Sequence, residues 1–175
     1  MNGAPLLIVQ GAARANGDTA QGVAALRRLL TVQSDLADLT QLEIAPFSYD
    51  GPSTADGFAP LVERMIEARA ILFATPVYWY AMGGRMKTLF DRFTDLLSDR
   101  DDARRARRLA GRGIWMLAVG ADPELPPGFD VPFRMTADYL GLAWRGCAYV
   151  ACGDGEARRH AVLSVLAAEI DAGLS

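Results

Sequence analysis

Residues 70–84 read AILFATPVYWYAMGG. The first five are apolar without alternation, the pattern of a strand hidden on both faces. Three consecutive aromatics, Tyr78, Trp79 and Tyr80, follow where a chain leaves its core. Gly83 and Gly84 then introduce RMKTLFDRFTDLL, whose apolar spacing predicts a helix over residues 84–97. A buried strand, a ring-rich loop and a helix together make half of a crossover unit, in which a helix returns the chain to a parallel neighbour.

The same alternation runs outward in both directions. Apolar runs occur at residues 6–9, 70–74, 114–119 and 144–151, with a weaker one at 36–44 where Leu36, Leu42 and Ile44 alternate imperfectly. Helical spacing falls between them, near residues 19–32, 58–68, 84–97, 132–140 and 156–172. Strands alternating with helices imply right-handed crossovers and a sheet covered on both faces. The expected class is therefore α/β: a three-layer sandwich around a five-stranded parallel sheet of order 2-1-3-4-5. No internal repeat or linker divides residues 1–175, and that length suits one domain. The segment IAPFSYDGPSTADG, 44–57, reads as a loop. The run SDRDDARRARR, 98–108, reads as a solvated helix extension, against a lid or a patch meeting an anionic cofactor.

Composition weighs against several functions. A net charge of −3 does not suggest a nucleic-acid surface, nor a strongly acidic electron-carrier surface. The start MNGAPLLIVQG lacks a basic segment, and no stretch approaches the roughly 20 apolar residues that span a bilayer, so no membrane partner is expected and the cytoplasm is the expected location. Cys147 and Cys152 lack the spacing of a redox or zinc site, and on a strand their separation of five would put them on opposite faces, so both are expected as buried apolar residues. His160 falls in the last helix and is expected to be structural. Asp99, Asp101 and Asp102 stand in a run of mixed sign, which argues for solvation over a metal site. Gly153-Asp154-Gly155 lacks the third glycine of a dinucleotide fingerprint and reads as a turn.

In a sheet of this order the ligand crevice lies beyond the carboxyl ends of strands one and three. The first of those loops is GAARANGDT, residues 11–19. Gly11 permits a tight turn, Gly17 relaxes the backbone before the helix, and Asp18 or Thr19 is expected to cap it. Helix-start N–H groups attract phosphate, Arg14 adds a forked cationic donor, and Thr19 adds a hydroxyl; an ordinary capped turn is the alternative. In the second loop three consecutive rings cannot all point inward, so one is expected to face the crevice and meet a flat conjugated ligand, against packing at a subunit interface. An anion cradle beside a flat-ring platform describes a mononucleotide with an aromatic head, which FMN fits.

These loops resemble those of the flavodoxin-like NAD(P)H-dependent FMN reductases, whose first loop follows GSxRxxGNT and third loop SPVYxxxxxGxMKxFxDR. Here they stand as GAARANGDT and TPVYWYAMGGRMKTLFDR. The resemblance implies that Ala12, Arg14, Gly17, Asp18 and Thr19 surround the FMN phosphate. It places Pro76, Val77, Tyr78, Trp79 and Tyr80 along the flavin, Gly83 beside it, and Gly120, Ala121 and Asp122 of the loop GADPE over the ring from another side. Two positions depart from the pattern: Ala12 replaces a serine, and Asp18 places a carboxylate where asparagine is common. The resemblance further implies a homodimer, with the aromatic loop and the 98–108 connector near the partner. NAD(P)H would be the electron donor, and a quinone, azo, nitro or flavin compound the small-molecule electron acceptor. With the flavin carrying the electrons, no protein nucleophile, metal or acid–base pair is required. Two alternatives stay open: an electron carrier, and a scaffold that binds FMN weakly or not at all.

Overall fold

Leu6–Gln10 (β1) is buried at every position, as are the first seven residues of β3, Ala70–Tyr78, and all of β5, Gly113–Gly120. Strands hidden on both faces require helices on both sides. The computed structural model, which describes residues 4–50, 56–97 and 100–175, supplies them. Ser34–Asp38 (β2) pairs in parallel with β1, β1 with β3, β3 with β5, and β5 with Ala143–Ala151 (β6). The resulting order β2-β1-β3-β5-β6 is the expected 2-1-3-4-5 of five parallel strands. The labels shift because Ala81–Met82 (β4) adds a two-residue antiparallel strand at the end of β3.

Alternate residues of each strand serve opposite faces. Leu6 and Ile8 pack with Leu72 and Leu117 under α1 (Asp18–Leu29) and α6 (Glu156–Leu174). Leu7 and Val9 pack with Phe73 and Met116 under α2 (Phe58–Glu67), α3 (Gly84–Arg92) and α5 (Val131–Leu140). The chain thus switches faces between its first and second crossovers, and the switch leaves the carboxyl end of β1 beside that of β3.

Several boundaries differ from expectation: β3 runs on from Ala74 to Tyr78, and α1 ends at Leu29 instead of residue 32. β2 begins and ends earlier than 36–44, because Leu6 pairs with Ser34 and the Asp38 carboxylate accepts the Thr40 N–H at 2.9 Å, turning the chain. The helix expected over 84–97 stops at Arg92 and tightens into a 3-10 segment, Phe93–Leu97. The charged run forms a separate helix, α4 (Arg100–Leu109), anchored by buried Leu109 and by the Arg108–Glu63 ion pair at 3.1 Å. Residues 1–3, 51–55 of the 44–57 loop, and Ser98 and Asp99 lie outside the described residues, as do the side chains of Asp101, Asp102 and Arg105.

The tightening at Arg92 has an electrostatic cause. Arg92 is 2% exposed, with Nε donating to Asp95 Oδ2 at 2.5 Å and Nη1 to the Ala45 carbonyl at 3.0 Å and to the Asp56 carboxylate. The guanidinium lies 4.6 Å from the Phe58 ring centroid. One side chain thereby joins the end of α3, the 3-10 segment, the 44–57 loop and the start of α2. Burial would raise the Asp56 carboxyl, but hydrogen bonds from Arg92 and from the Phe58 and Ala45 N–H groups outweigh it and hold the pKa below its ordinary value.

Arg92→Met would leave the Asp56 and Asp95 carboxylates buried without a counter-charge. Removing one partner of such a cluster costs about 3–5 kcal/mol, to be read from urea unfolding at neutral pH. Because the folded Asp56 pKa is depressed, its contribution is present above the unfolded carboxylate value of about 3.9 and is lost as pH falls through the folded value. The gap between wild type and variant should therefore narrow on acidification below about pH 4.

Candidate functional site

β1 ends at Gln10, opposite Ala74 of β3, and the next N–H, of Gly11, donates to the Ala74 carbonyl at 2.8 Å. The loops after these two strands therefore leave the sheet side by side. Gly11 is required by space: a Cβ would stand 2.8 Å from Met86 Cβ on α3.

The loop after β3 folds into a hairpin. Val77 pairs with Met82 and Tyr78 with Ala81, leaving Trp79 and Tyr80 as a two-residue turn with φ of 49° and 63°. Positive φ at both positions is the pattern that ordinarily takes Asn-Gly, so two bulky residues here store backbone strain. Its base is fixed from below. The buried Thr75 hydroxyl accepts the Gly83 N–H at 3.0 Å and donates to the Pro76 carbonyl at 3.1 Å. Gly83 sits so close that a Cβ would stand 2.9 Å from Pro76 Cγ. A rigid base thus holds Trp79 at 94% and Tyr80 at 72% exposure, with Tyr78 half exposed.

Between the loops opens a crevice of about 190 Å³. Ala12, Arg14, Gly17, Asp18 and Thr19 line one wall, Pro76, Val77 and Tyr78 the other, and Gly120 and Ala121 the floor. Of the residues expected at the site, Trp79, Tyr80, Gly83 and Asp122 do not line it: the first two project into solvent, and Gly83 spends its open side on Pro76. Ala13, Val119 and Cys152 line it unanticipated. A volume below the roughly 300 Å³ usual for small-molecule pockets leaves a nucleotide-sized ligand extending into the open mouth beside the hairpin.

The wall at the start of α1 corrects two expectations. Neither Asp18 nor Thr19 caps α1: Gly17 is the N-cap, without a side-chain cap hydrogen bond. The N–H groups of Asp18, Thr19 and Ala20 have no acceptor within the helix, so their partial positive charge faces outward. Arg14 is exposed and enters no ion pair among the described residues. Asp18, also exposed, lies near enough to the Cys152 thiol for its charge to act on it. Partial desolvation, then the Asp18 charge, push that thiol up, so it stays protonated at neutral pH. Both cysteines are exposed, contrary to expectation. Cys147 lies on β6, an edge strand, and Cys152 lies past its end, where strand alternation no longer applies. The turn after β6 reaches the same sheet edge because Ala151 pairs with Gly120 and the Cys152 N–H donates to the Gly120 carbonyl at 2.7 Å.

Other sequence features stay outside the crevice. Asp154 makes the expected turn, accepting the Ala151 N–H at 3.1 Å. His160 is exposed, 3.3 Å from the Ser164 hydroxyl, on the wall of a groove between α1 and α6 lined by helix side chains of both signs. Among the described residues no His, Cys, Asp and Glu group could hold a metal, and no helix is long and apolar enough to cross a membrane.

Residues 5–124, from β1 through the loop after β5, match the family of NADPH-dependent FMN reductases. The chain belongs to that family. As a member of the NADPH-dependent FMN reductases it is an NAD(P)H-dependent FMN oxidoreductase, with FMN as cofactor and a nicotinamide as electron donor. Among its relatives is YwqN of Bacillus subtilis, named as an NAD(P)H-dependent FMN-containing oxidoreductase, 24% identical over 150 residues and covered to 81% in each chain. The Trp repressor binding protein of Bacillus subtilis shares the fold, with a TM-score of 0.73 at 19% identity over 94% of this chain and 96% of that one. So does general stress protein 14 of Treponema denticola, solved in complex with FMN, with a TM-score of 0.66 at 15% identity over 97% and 98%.

Replacing Trp79-Tyr80 by Asn-Gly should relieve the strained turn. Each residue in that conformation costs on the order of 1–3 kcal/mol, and little burial is lost, so the chain without cofactor should gain about 1–2 kcal/mol in chemical denaturation.

Proposed function

We propose that residues 1–175 act as one unit that holds FMN with its phosphate at the start of α1 and its ring in the open mouth beside Tyr78. One observation carries this: a helix start without a side-chain cap, with an arginine that enters no ion pair among the described residues, stands across one crevice from Tyr78 of the aromatic hairpin. Bound there, the flavin would take hydride from NAD(P)H and pass two electrons to a small acceptor such as a quinone, an azo or nitro compound, or a free flavin.

The protein's own part is to bind and orient. Arg14 and the first N–H groups of α1 neutralise phosphate, while buried Thr19 offers its hydroxyl at the same turn. Pro76 and Val77 form an apolar wall against a ring edge. Tyr78 and the rings of Trp79 and Tyr80 stand at the mouth, where a planar acceptor or the nicotinamide would enter. Burial and the Asp18 charge keep the Cys152 thiol protonated, and the electrons would travel on the cofactor.

Asp18 favours weak binding. Its carboxylate lies in the anion-facing wall, where it repels a phosphate dianion. FMN that exchanges readily would behave as a substrate as well as a cofactor.

A second copy of the chain completes the proposal. Leu97, Met135 and Tyr139 are exposed together around a groove of about 370 Å³ whose base is Phe90 and Phe93. Apolar side chains gathered at one place mark association surfaces, and a homodimer formed through this face would cover them. The two unpaired thiols suit the reducing conditions of the cytoplasm.

FMN fluorescence should titrate saturably against the purified protein, and anaerobic NADPH should bleach the bound flavin; no binding in excess FMN would end the proposal. Arg14→Ala should weaken FMN by about 1.5–3 kcal/mol in a fluorescence titration, the worth of a hydrogen bond to a charged group. Asp18→Asn should tighten it. Tyr139→Glu should shift the chain from dimer to monomer in sedimentation.

A further inference from the structure

The floor of the crevice depends on a residue beyond the segment matched to the family. Tyr149, on β6, pairs with Ala118 of β5, and its hydroxyl donates to the Asp122 carbonyl at 2.6 Å. The body of its side chain packs against the core under α2, α3 and α5. Gly120 passes between this hydroxyl and the hairpin base. A Cβ at Gly120 would stand 2.8 Å from the Tyr149 oxygen and 3.0 Å from Val77 Cβ. Gly120 is absent from the positive-φ glycines, so the requirement is for space and not for an unusual backbone. Three elements therefore meet at one point: the wall of the crevice at Val77, its floor at Gly120, and a phenol tied to the next turn of that floor.

We propose that Tyr149 is a positioning residue for the ring end of the site. By tethering the Asp122 carbonyl across Gly120, it sets the height of loop 120–124 against Val77 and so the width of the slot a planar ring enters. The inference rests on the crevice taking FMN. Burial first, then the charges of Asp122, Cys152 and Asp154, push the Tyr149 phenol up, so the hydroxyl keeps its proton and remains a donor at neutral and moderately alkaline pH. The tether joins a side chain to a backbone carbonyl, and so it acts on the height of the loop independently of which side chain stands at 122.

The experiment separates the ring end from the phosphate end by titrating each variant with FMN and with riboflavin, which lacks the phosphate. Tyr149→Phe keeps the ring packing and removes only the tether. It should weaken FMN and riboflavin by the same factor, about three- to ten-fold for one neutral hydrogen bond. It should also shift the visible absorption band of bound flavin and speed amide exchange at Ala121, Asp122, Glu124 and Leu125. Gly120→Ala, whose Cβ displaces the hydroxyl, should reproduce the parallel loss. Arg14→Ala should weaken FMN alone. Unchanged affinities and band position in Tyr149→Phe, or a loss confined to FMN, would overturn the role given to Tyr149 while leaving the FMN site standing. Wild type that takes up neither flavin would instead overturn the FMN site and with it this role.

Discussion

The hydrogen bond from the Gly11 N–H to the Ala74 carbonyl closes the parallel pairing of β1 with β3 one residue past its last register pair. Everything functional depends on where that pairing stops. From this point the chain after β1 rises to α1 on one face, while the chain after β3 turns toward α3 on the other. Two connections that start together and part to opposite faces leave a gap between them, which is why such sheets bind ligands at this edge. The gap is held to atomic tolerance, because Gly11 touches Met86 and Gly83 touches Pro76 at distances that admit no side chain.

Stability and site are linked through α3. Its N-cap, Gly83, is bonded to Thr75 at the base of the aromatic hairpin, and its last residue, Arg92, is buried among two carboxylates and the Phe58 ring. A helix fixed at both ends can carry a strained turn without yielding to it. The strain at Trp79 and Tyr80 is thus an expense met by the surrounding packing, and its product is ring surface presented to solvent at the lip of a crevice. Sites that break local backbone preferences in this way are common where a protein must hold a group out of its own core.

The central strands were legible because burial on both faces leaves an unbroken apolar run, and β1, β3 and β5 show it. β2 was not, since an edge strand needs no such run, and buried Leu39 lies past its end in a turn. The break at Arg92 escaped because a guanidinium in RMKTLFDRFTDLL looks like any surface cation until Asp56, 36 residues earlier, is brought to it. Asp18 looked like a cap because acids favour helix starts, but a cap must stand one residue before the helix and Gly17 has that place. Cys152 and Tyr149 were invisible as site residues. Their meaning arises only from the register of β6 on β5, which carries no signature in local sequence. The aromatic run announced a site, but the hairpin that turns two of its rings outward did not show in the residues themselves.

The crevice draws its walls from early in the chain and its last closing parts from late in it. Residues 11–19 and 75–84 are made long before β6, which brings Tyr149 and Cys152 to the floor. A chain that ends before β6 thus holds both loops but neither Tyr149 nor Cys152. At the proposed FMN site, cofactor uptake would then depend on the docking of an edge strand and of α6 over β1 and β3. Chains truncated before that strand would lose α6 as well, and with it the cover that Leu163, Leu166 and Ile170 give to Leu6, Ile8 and Leu72.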